Sequence, residues 1–213
     1  MMTVSTSAKF VLRTSLTSPF GRKVRIAAEV LGLANRIKIE AADTLDENDT
    51  LRQQNPLGKM PCLLLEDGSA IYDSRVIIEF LQEIAGSNQL IPASGPARYH
   101  ALTRATLADG IADAALLMVY ETRFRPPMPP EHSERWLAHQ RGKIARGLAE
   151  FERHPPDPAH TDIVAISLSC ALGYLDWRKP VEWRPQHPNI IKWLRRFTEH
   201  TPFYAGSRPE NVK

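Results

Sequence analysis

Cysteine is scarce in this 213-residue chain: Cys62 and Cys170 are the only two, 108 positions apart. With no CxxC and no Cys/His cluster, a zinc ribbon and a dithiol redox centre are excluded. The seven histidines form no HExxH or HxH spacing. An excess of one charge is missing too, since 27 Lys plus Arg face 24 Asp plus Glu, a formal net charge of +3. So mild a balance gives no footprint for nucleic acid or an anionic membrane. No apolar run approaches the ~20 residues that span a bilayer. Met1 to Lys9 holds neither an apolar core of signal-peptide length nor a charged lead-in. The expectation is a cytoplasmic protein with reduced thiols. The remaining composition, 43% hydrophobic and 24% charged in 24.0 kDa, is that of a globular chain of one or two domains.

Proline is what the chain has in excess: 17 residues, about 8% against a typical ~5%. Prolines punctuate, so proline-free windows show where helices can run. Three such windows occupy the second half: Ala97 to Arg125, Glu131 to Arg153 and Ala159 to Lys179. Pro126, Pro127, Pro129 and Pro130 separate the first two, and Pro155, Pro156 and Pro158 the last two. Ile190, Ile191, Leu194 and Phe197 predict a further helix over His187 to Thr198. The second half is expected to be helical throughout.

The first half alternates. Phe10 to Leu12 reads as a short strand. Ser18 then suits an N-cap and Pro19 the first helical position. Phe20, Val24, Ala27, Ala28 and Leu31 repeat at helical spacing until Gly32. Ile37 and Ile39 alternate with Lys38 and Glu40, as in a strand. After an uncertain polar element, Pro61 to Glu66 and Ala70 to Tyr72 predict a hairpin around Asp67-Gly68. Val76, Ile77, Phe80, Leu81 and Ile84 supply a helix ended by Gly86. The order is βαβ, the uncertain element, then ββα, with a boundary near Gly86 to Pro96.

Three strings sharpen this pattern: SPFGRKVRIA at Ser18 to Ala27, NPLGKMPCL at Asn55 to Leu63, and YDSRVIIEFL at Tyr72 to Leu81. LADGIADA at Leu107 to Ala114 and CALGYLDWR at Cys170 to Arg178 follow. Together, over roughly Lys9 to Phe203, they resemble the cytosolic glutathione S-transferase family in its bacterial branch. The resemblance implies an α/β thioredoxin-like N-terminal domain (βαβ-ββα, residues 1–86) that binds glutathione. An all-α C-terminal domain (87–213) would contribute the electrophile site.

Ser18 stands where the family places its N-terminal catalytic hydroxyl or thiol, with Thr17 ranked second. As a helix N-cap alone, its hydroxyl would still lie at the positive end of a helix. An anion there gains ~0.3–1 kcal/mol, and a charge-assisted hydrogen bond adds ~1.5–3 kcal/mol. Lowering a thiol pKa from ~8.5 to ~6.5 needs ~2.7 kcal/mol, within reach of both effects. The thiolate fraction then rises ~25-fold while nucleophilicity falls about eightfold, a net gain of about threefold. Most acceleration must come from holding the electrophile beside the sulfur.

The resemblance further implies a cis Met60-Pro61 bond, with the Met60 backbone facing the cysteinyl part of glutathione. Lys59 is suited to its glycyl carboxylate; in isolation it reads as a solvated loop lysine. Asp73 and Ser74, a capping pair on spacing alone, would hold the γ-glutamyl end: Asp73 its ammonium, Ser74 and the helix amides its carboxylate. Tyr120 and Arg123, with Arg125 beyond them, are candidates for the electrophile site. Asp109 and Asp113, spaced i, i+4, share a helical face; without a third ligand they suit an interface better than a metal. Cys62 and Cys170 are expected in the core. Thr161-Asp162 opens a helix without the acidic residue three places on that would complete a capping box.

The expected function is a glutathione transferase acting on an electrophilic small molecule. Glutathione is its co-substrate, no metal or nucleic acid or membrane takes part, and the family implies a homodimer. Glutathione-dependent isomerisation, dehalogenation or peroxide reduction, or a non-catalytic binding module, are the alternatives. Thiol–disulfide exchange is disfavoured, because Ser18 and Gly21 fill the positions of a CxxC.

Overall fold

The computed structural model describes residues 9–125 and 130–209; the readings made for Met1 to Ala8 and for Pro126, Pro127 and Pro129 lie outside them. The chain partitions into two compact units, one running to Arg98 and resuming from Phe203, the other Tyr99–Pro202.

The first unit opens with β1 (Phe10–Arg13), α1 (Pro19–Val30) and β2 (Ile37–Glu40). The predicted βαβ start is there, and β1 and β2 pair in parallel, as a helical crossover requires. The uncertain element is a single helical turn, α2 (Leu51–Gln54). The hairpin follows as β3 (Cys62–Leu64) and β4 (Ala70–Ile71), then α3 (Ser74–Ile84). Gly68 takes a φ of 82° in the hairpin turn, a backbone state that favours glycine. The sheet order is β2-β1-β3-β4, with β3 antiparallel to both its neighbours. This is the α/β half of the predicted fold.

The core of this unit follows the apolar spacing. Val24, Ala27 and Ala28 of α1 and Ile77, Ile78 and Leu81 of α3 are fully buried, and the two helices pack together. Phe10 of β1 meets Phe80 edge-on at 5.7 Å. A smaller cluster joins Leu51 of α2 to Ala42 and the buried Cys62. The alternation in β2 buries no full face, because it is an edge strand and Ile39 stays 42% exposed. Arg13, at the end of β1, is buried. Its guanidinium donates to Thr50 Oγ1 (2.7 Å), Gln54 Oε1 (2.9 Å) and Asp49 Oδ1 (2.7 Å), tying α2 to the sheet.

The second unit is helical: α4 (Gly95–Phe124, from Tyr99 onward in this unit), α5 (Pro130–Arg153), α6 (Ile163–Arg178) and α7 (Pro188–His200). A short α8 (Pro202–Gly206), which the sequence did not announce, leads back to the first unit. Ile163 to Cys170, together with Ala171, Leu172, Tyr174 and Leu175, make α6 buried on almost every side. Asp162 caps this helix by accepting from Ala165 N–H at 2.8 Å, so the cap bond forms although the reciprocal half of the box is missing. Glu152 of α5 caps α7 across the bundle, accepting from the Asn189 and Ile190 amides at 2.9 and 3.0 Å. No described helix is long and apolar enough to cross a membrane.

Candidate functional site

Strand order decides which loops meet. β1 ends where β3 begins, since Arg13 pairs with Cys62, and β4 ends at Ile71 opposite Leu63. The segments Thr14–Ser18, Lys59–Pro61 and Tyr72–Ser74 therefore all leave the sheet at one end. Ser18, Met60 and the Asp73-Ser74 pair, distant in sequence, share that end.

Ser18 is extended in backbone and caps α1: its Oγ accepts from Gly21 N–H at 3.1 Å. A hydroxyl that accepts in this way keeps its own proton to donate outward. Pro19 has no N–H and Gly21 spends its own on Ser18, so Phe20 carries the first-turn amide left without a helical acceptor. The loop before Ser18 is braced. Ser15 Oγ lies 3.1 Å from Thr17 Oγ1, and the Ser15 amide donates to Met60 Sδ at 3.0 Å. Gly21 presses on the same loop, since a Cβ there would stand 1.9 Å from Thr14 Oγ1.

The Met60-Pro61 bond is cis, as the resemblance implied. A second cis bond joins Tyr72 to Asp73. Lys59 is exposed, and its carbonyl accepts from the buried Asn55 side chain at 2.8 Å. Asn55 Oδ1 also accepts from Leu57 N–H at 3.1 Å, so one buried amide shapes the whole turn before Pro61. Asn55 was not singled out from the sequence; the Asn-Pro pair that opens NPLGKMPCL marked the turn but not its buried brace.

Asp73 caps α3, accepting from Arg75 N–H at 2.9 Å, and its other oxygen lies 3.7 Å from Arg75 Nε. Ser74 begins the helix and is buried. The cap and the candidate binding pair are thus the same two residues.

Tyr120 and Arg123 lie on the last turns of α4 in the helical unit, Tyr120 edge-on to Phe124 at 5.0 Å. Arg125 pairs with Glu121 at 3.3 Å. Beside them in charge is Tyr174 of α6: burial pushes its phenol up, the Arg178 guanidinium opposes this, and the Tyr120 phenol adds to it. Arg178 stacks on Trp177 at 3.6 Å. Tyr174 and Arg178 sit in CALGYLDWR, a string recognised without a role for its tyrosine or arginine. Asp109 is buried and Asp113 exposed, and among the described residues no group of three or more His, Cys, Asp or Glu could hold a metal ion. Both cysteines are buried and neither is in a disulfide, and burial holds the Cys62 thiol above its ordinary range.

Comparison with known proteins follows this geometry. Residues 17–84 match the model of the glutathione S-transferase N-terminal domain, and residues 134–196 that of the C-terminal domain. The uncharacterized GST-like protein YibF of Escherichia coli K12 is 33% identical over 203 residues, covering 92% of this chain and 97% of that protein. A glutathione transferase family member from Pseudomonas fluorescens Pf-5, solved with bound glutathione, superposes with a TM-score of 0.86 at 42% identity. It covers 94% of this chain and 99% of that one. A second structure from that organism, at 41% identity and a TM-score of 0.82 over 94% and 100% of the two chains, holds S-(propanoic acid)-glutathione. With both halves matched and the sheet and helices in the same order, the chain belongs to the glutathione S-transferase family.

Proposed function

We propose that the protein is a glutathione transferase that activates the glutathione thiol at the N-terminus of α1 and adds it to an electrophilic small molecule. The observation that carries this reading is the Ser18 cap: its lone pair is engaged by Gly21 N–H, which leaves its proton free for a sulfur. The thiolate forms a C–S bond to the electrophilic carbon. A leaving group departs with the electron pair, or in an addition the neighbouring carbon takes up a proton. Asp73 and Ser74 hold the γ-glutamyl end, the Met60 backbone meets the cysteinyl part, and Lys59 meets the glycyl carboxylate. Tyr120 and Arg123 face the electrophile. Thr17, linked to Ser15, is the second-ranked donor. A homodimer is part of the same reading, and sedimentation as a monomer at micromolar concentration would remove it.

The bound molecules of the Pseudomonas structures support the co-substrate and the product class, since S-(propanoic acid)-glutathione is a thioether of the kind the reaction makes. Titration calorimetry with glutathione, followed by thiolate absorbance of the complex against pH, tests the reading. The expected result is a complex whose thiol titrates below the free value of ~8.5. A folded protein that takes up no glutathione would overturn it.

A further inference from the structure

Four residues beyond Ser18, Arg22 poses an electrostatic question that the fold alone does not answer. Its backbone N–H donates to the Ser18 carbonyl at 2.9 Å, closing the first turn of α1. Its side chain is 1% exposed. Nε donates to Ser207 Oγ at 2.9 Å and Nη2 to the Tyr204 carbonyl at 2.7 Å, while the guanidinium lies 4.1 Å from the centre of the Tyr204 ring. Ser207 Oγ donates to that same carbonyl at 2.9 Å, so hydroxyl, carbonyl and guanidinium form a closed set. Nη1 is buried with no partner, and no carboxylate among the described residues pairs with Arg22. Every acceptor it has is neutral.

A buried charge without a counter-ion is costly, and a chain end that folds back 182 residues to hold one makes that cost specific to this place. Side chains on a helix tilt toward its N-terminus, so Arg22 lies back along the turn that begins at Ser18. The charged groups on the elements packed here are Lys23, Arg25 and Glu29 on α1, Arg75, Glu79 and Glu83 on α3, where Glu79 pairs with Arg98, and Arg208 at 5.9 Å from the Tyr204 ring. None of the described carboxylates on these elements pairs with Arg22, so its charge is met only by a hydroxyl, a carbonyl and a ring, and an anion bound at the start of α1 would interact with it favourably.

We propose that Arg22 is a positioning residue for the thiol site: the segment Phe203–Pro209 clamps its guanidinium behind the Ser18 turn, where its fixed charge favours a bound thiolate. This rests on the reading of α1 as the thiolate site and assigns the end of the chain a part in it. At a separation of about 10 Å and an effective dielectric constant of about 20, one unit charge moves a thiol pKa by about one unit.

The test is the spectroscopic titration of the glutathione complex. Arg22→Gln is expected to raise the bound thiol pKa by about one unit, a tenfold loss of thiolate below that pKa. Arg22→Lys keeps the charge without the two-point grip and is expected to recover at least half of that shift. Should Arg22→Gln fail to fold, Tyr204→Leu with Ser207→Ala removes the ring and the hydroxyl of the clamp and leaves the Tyr204 carbonyl bond and the charge, with an expected rise of about half a unit. An Arg22→Gln protein that melts earlier but titrates as wild type would make Arg22 merely structural and overturn the proposal, as would Arg22→Lys failing to recover the shift. If wild type binds no glutathione, the transferase reading itself fails. If it binds with a lowered pKa that none of these variants moves, only the role of Arg22 fails.

Discussion

Two helix N-termini, those of α1 and α3, stand at the same end of the sheet and are capped by different chemistry. Ser18 caps α1 with a neutral hydroxyl, half-buried, on a turn pressed against Thr14 and tied to Met60 and the chain end. Asp73 caps α3 with a carboxylate, exposed, beside the exposed Arg75. Both satisfy an amide that the helix cannot. The difference lies in what is left over. The neutral cap leaves the positive end of α1 uncancelled and a hydroxyl proton to give, which suits an anionic sulfur. The charged cap cancels part of the α3 field and offers an acceptor, which suits a cation. One tripeptide carrying a thiolate at one point and an ammonium at another would need both.

The comparison breaks most visibly at the third helical residue. In α1 this is Gly21, where a Cβ would meet Thr14 Oγ1 at 1.9 Å; in α3 it is Val76, 52% exposed. Gly→Ala inside an unhindered helix gains up to ~1 kcal/mol. Gly21→Ala is expected to do the reverse and cost about 1–3 kcal/mol by overpacking, with Thr14→Ala recovering most of it. Val76→Ala should stay within about 0.5 kcal/mol. Urea unfolding of the three variants checks this, and a stabilised Gly21→Ala would show that the α1 turn is not braced.

Next in size is Ser74→Ala, expected to weaken glutathione binding by about 1–3 kcal/mol, roughly 5- to 150-fold by calorimetry. Unchanged affinity in the folded variant would remove the α3 turn from the site. Ser18→Ala separates the two termini further. As a cap alone it costs about 0.5–2 kcal/mol of stability. As a donor to sulfur, its loss also raises the bound thiol pKa by about one to two units. Turnover should fall only several-fold, because the more basic thiolate is the better nucleophile. The titration is the sharper readout, and an unmoved curve would turn attention to Thr17 or the Phe20 amide.

The parts that could be read from the sequence are those governed by local rules. Proline and glycine punctuation placed α1, α3 and the helices of the second half, and Ser18-Pro19 and Asp73-Ser74 announced their own caps. Residues whose meaning depends on chain distant in sequence could not be read that way. Arg13 looks like the polar end of a strand until Asp49, Thr50 and Gln54 close around it. Asn55 looks like a turn residue until its amide is buried under Lys59. Arg22 sits in an amphipathic helix pattern as a solvent-facing cation, yet a segment that periodicity left unassigned covers it. Long-range polar burial leaves no periodic trace.

The smallest expected effect concerns a third cap and is distinguished by sign. Asp162, at the start of α6, is held above the ordinary 3.8 because burial outweighs the Ala165 and Val164 amides and the charge of Arg104. Asp49 is held below 3.8, first by the Asp43 amide and then by the Leu51 amide and Arg13, against the opposing effect of burial. For Asp162 the native state binds more protons than the unfolded chain above pH 3.8, so its contribution falls as pH rises through the folded value and is flat beyond it. For Asp49 the unfolded chain binds more, so its contribution is complete above 3.8 and is lost as pH falls through the folded value. Asn caps a helix about as well as Asp, so Asp162→Asn should remain within about 1 kcal/mol of wild type at neutral pH. Urea unfolding of wild type and each Asn variant across acidic pH isolates the two carboxyls, since every other group cancels in the difference. The wild-type advantage over Asp162→Asn should shrink with rising pH, while that over Asp49→Asn should grow. Two differences of the same sign would mean that burial of the α6 cap does not outweigh its amides.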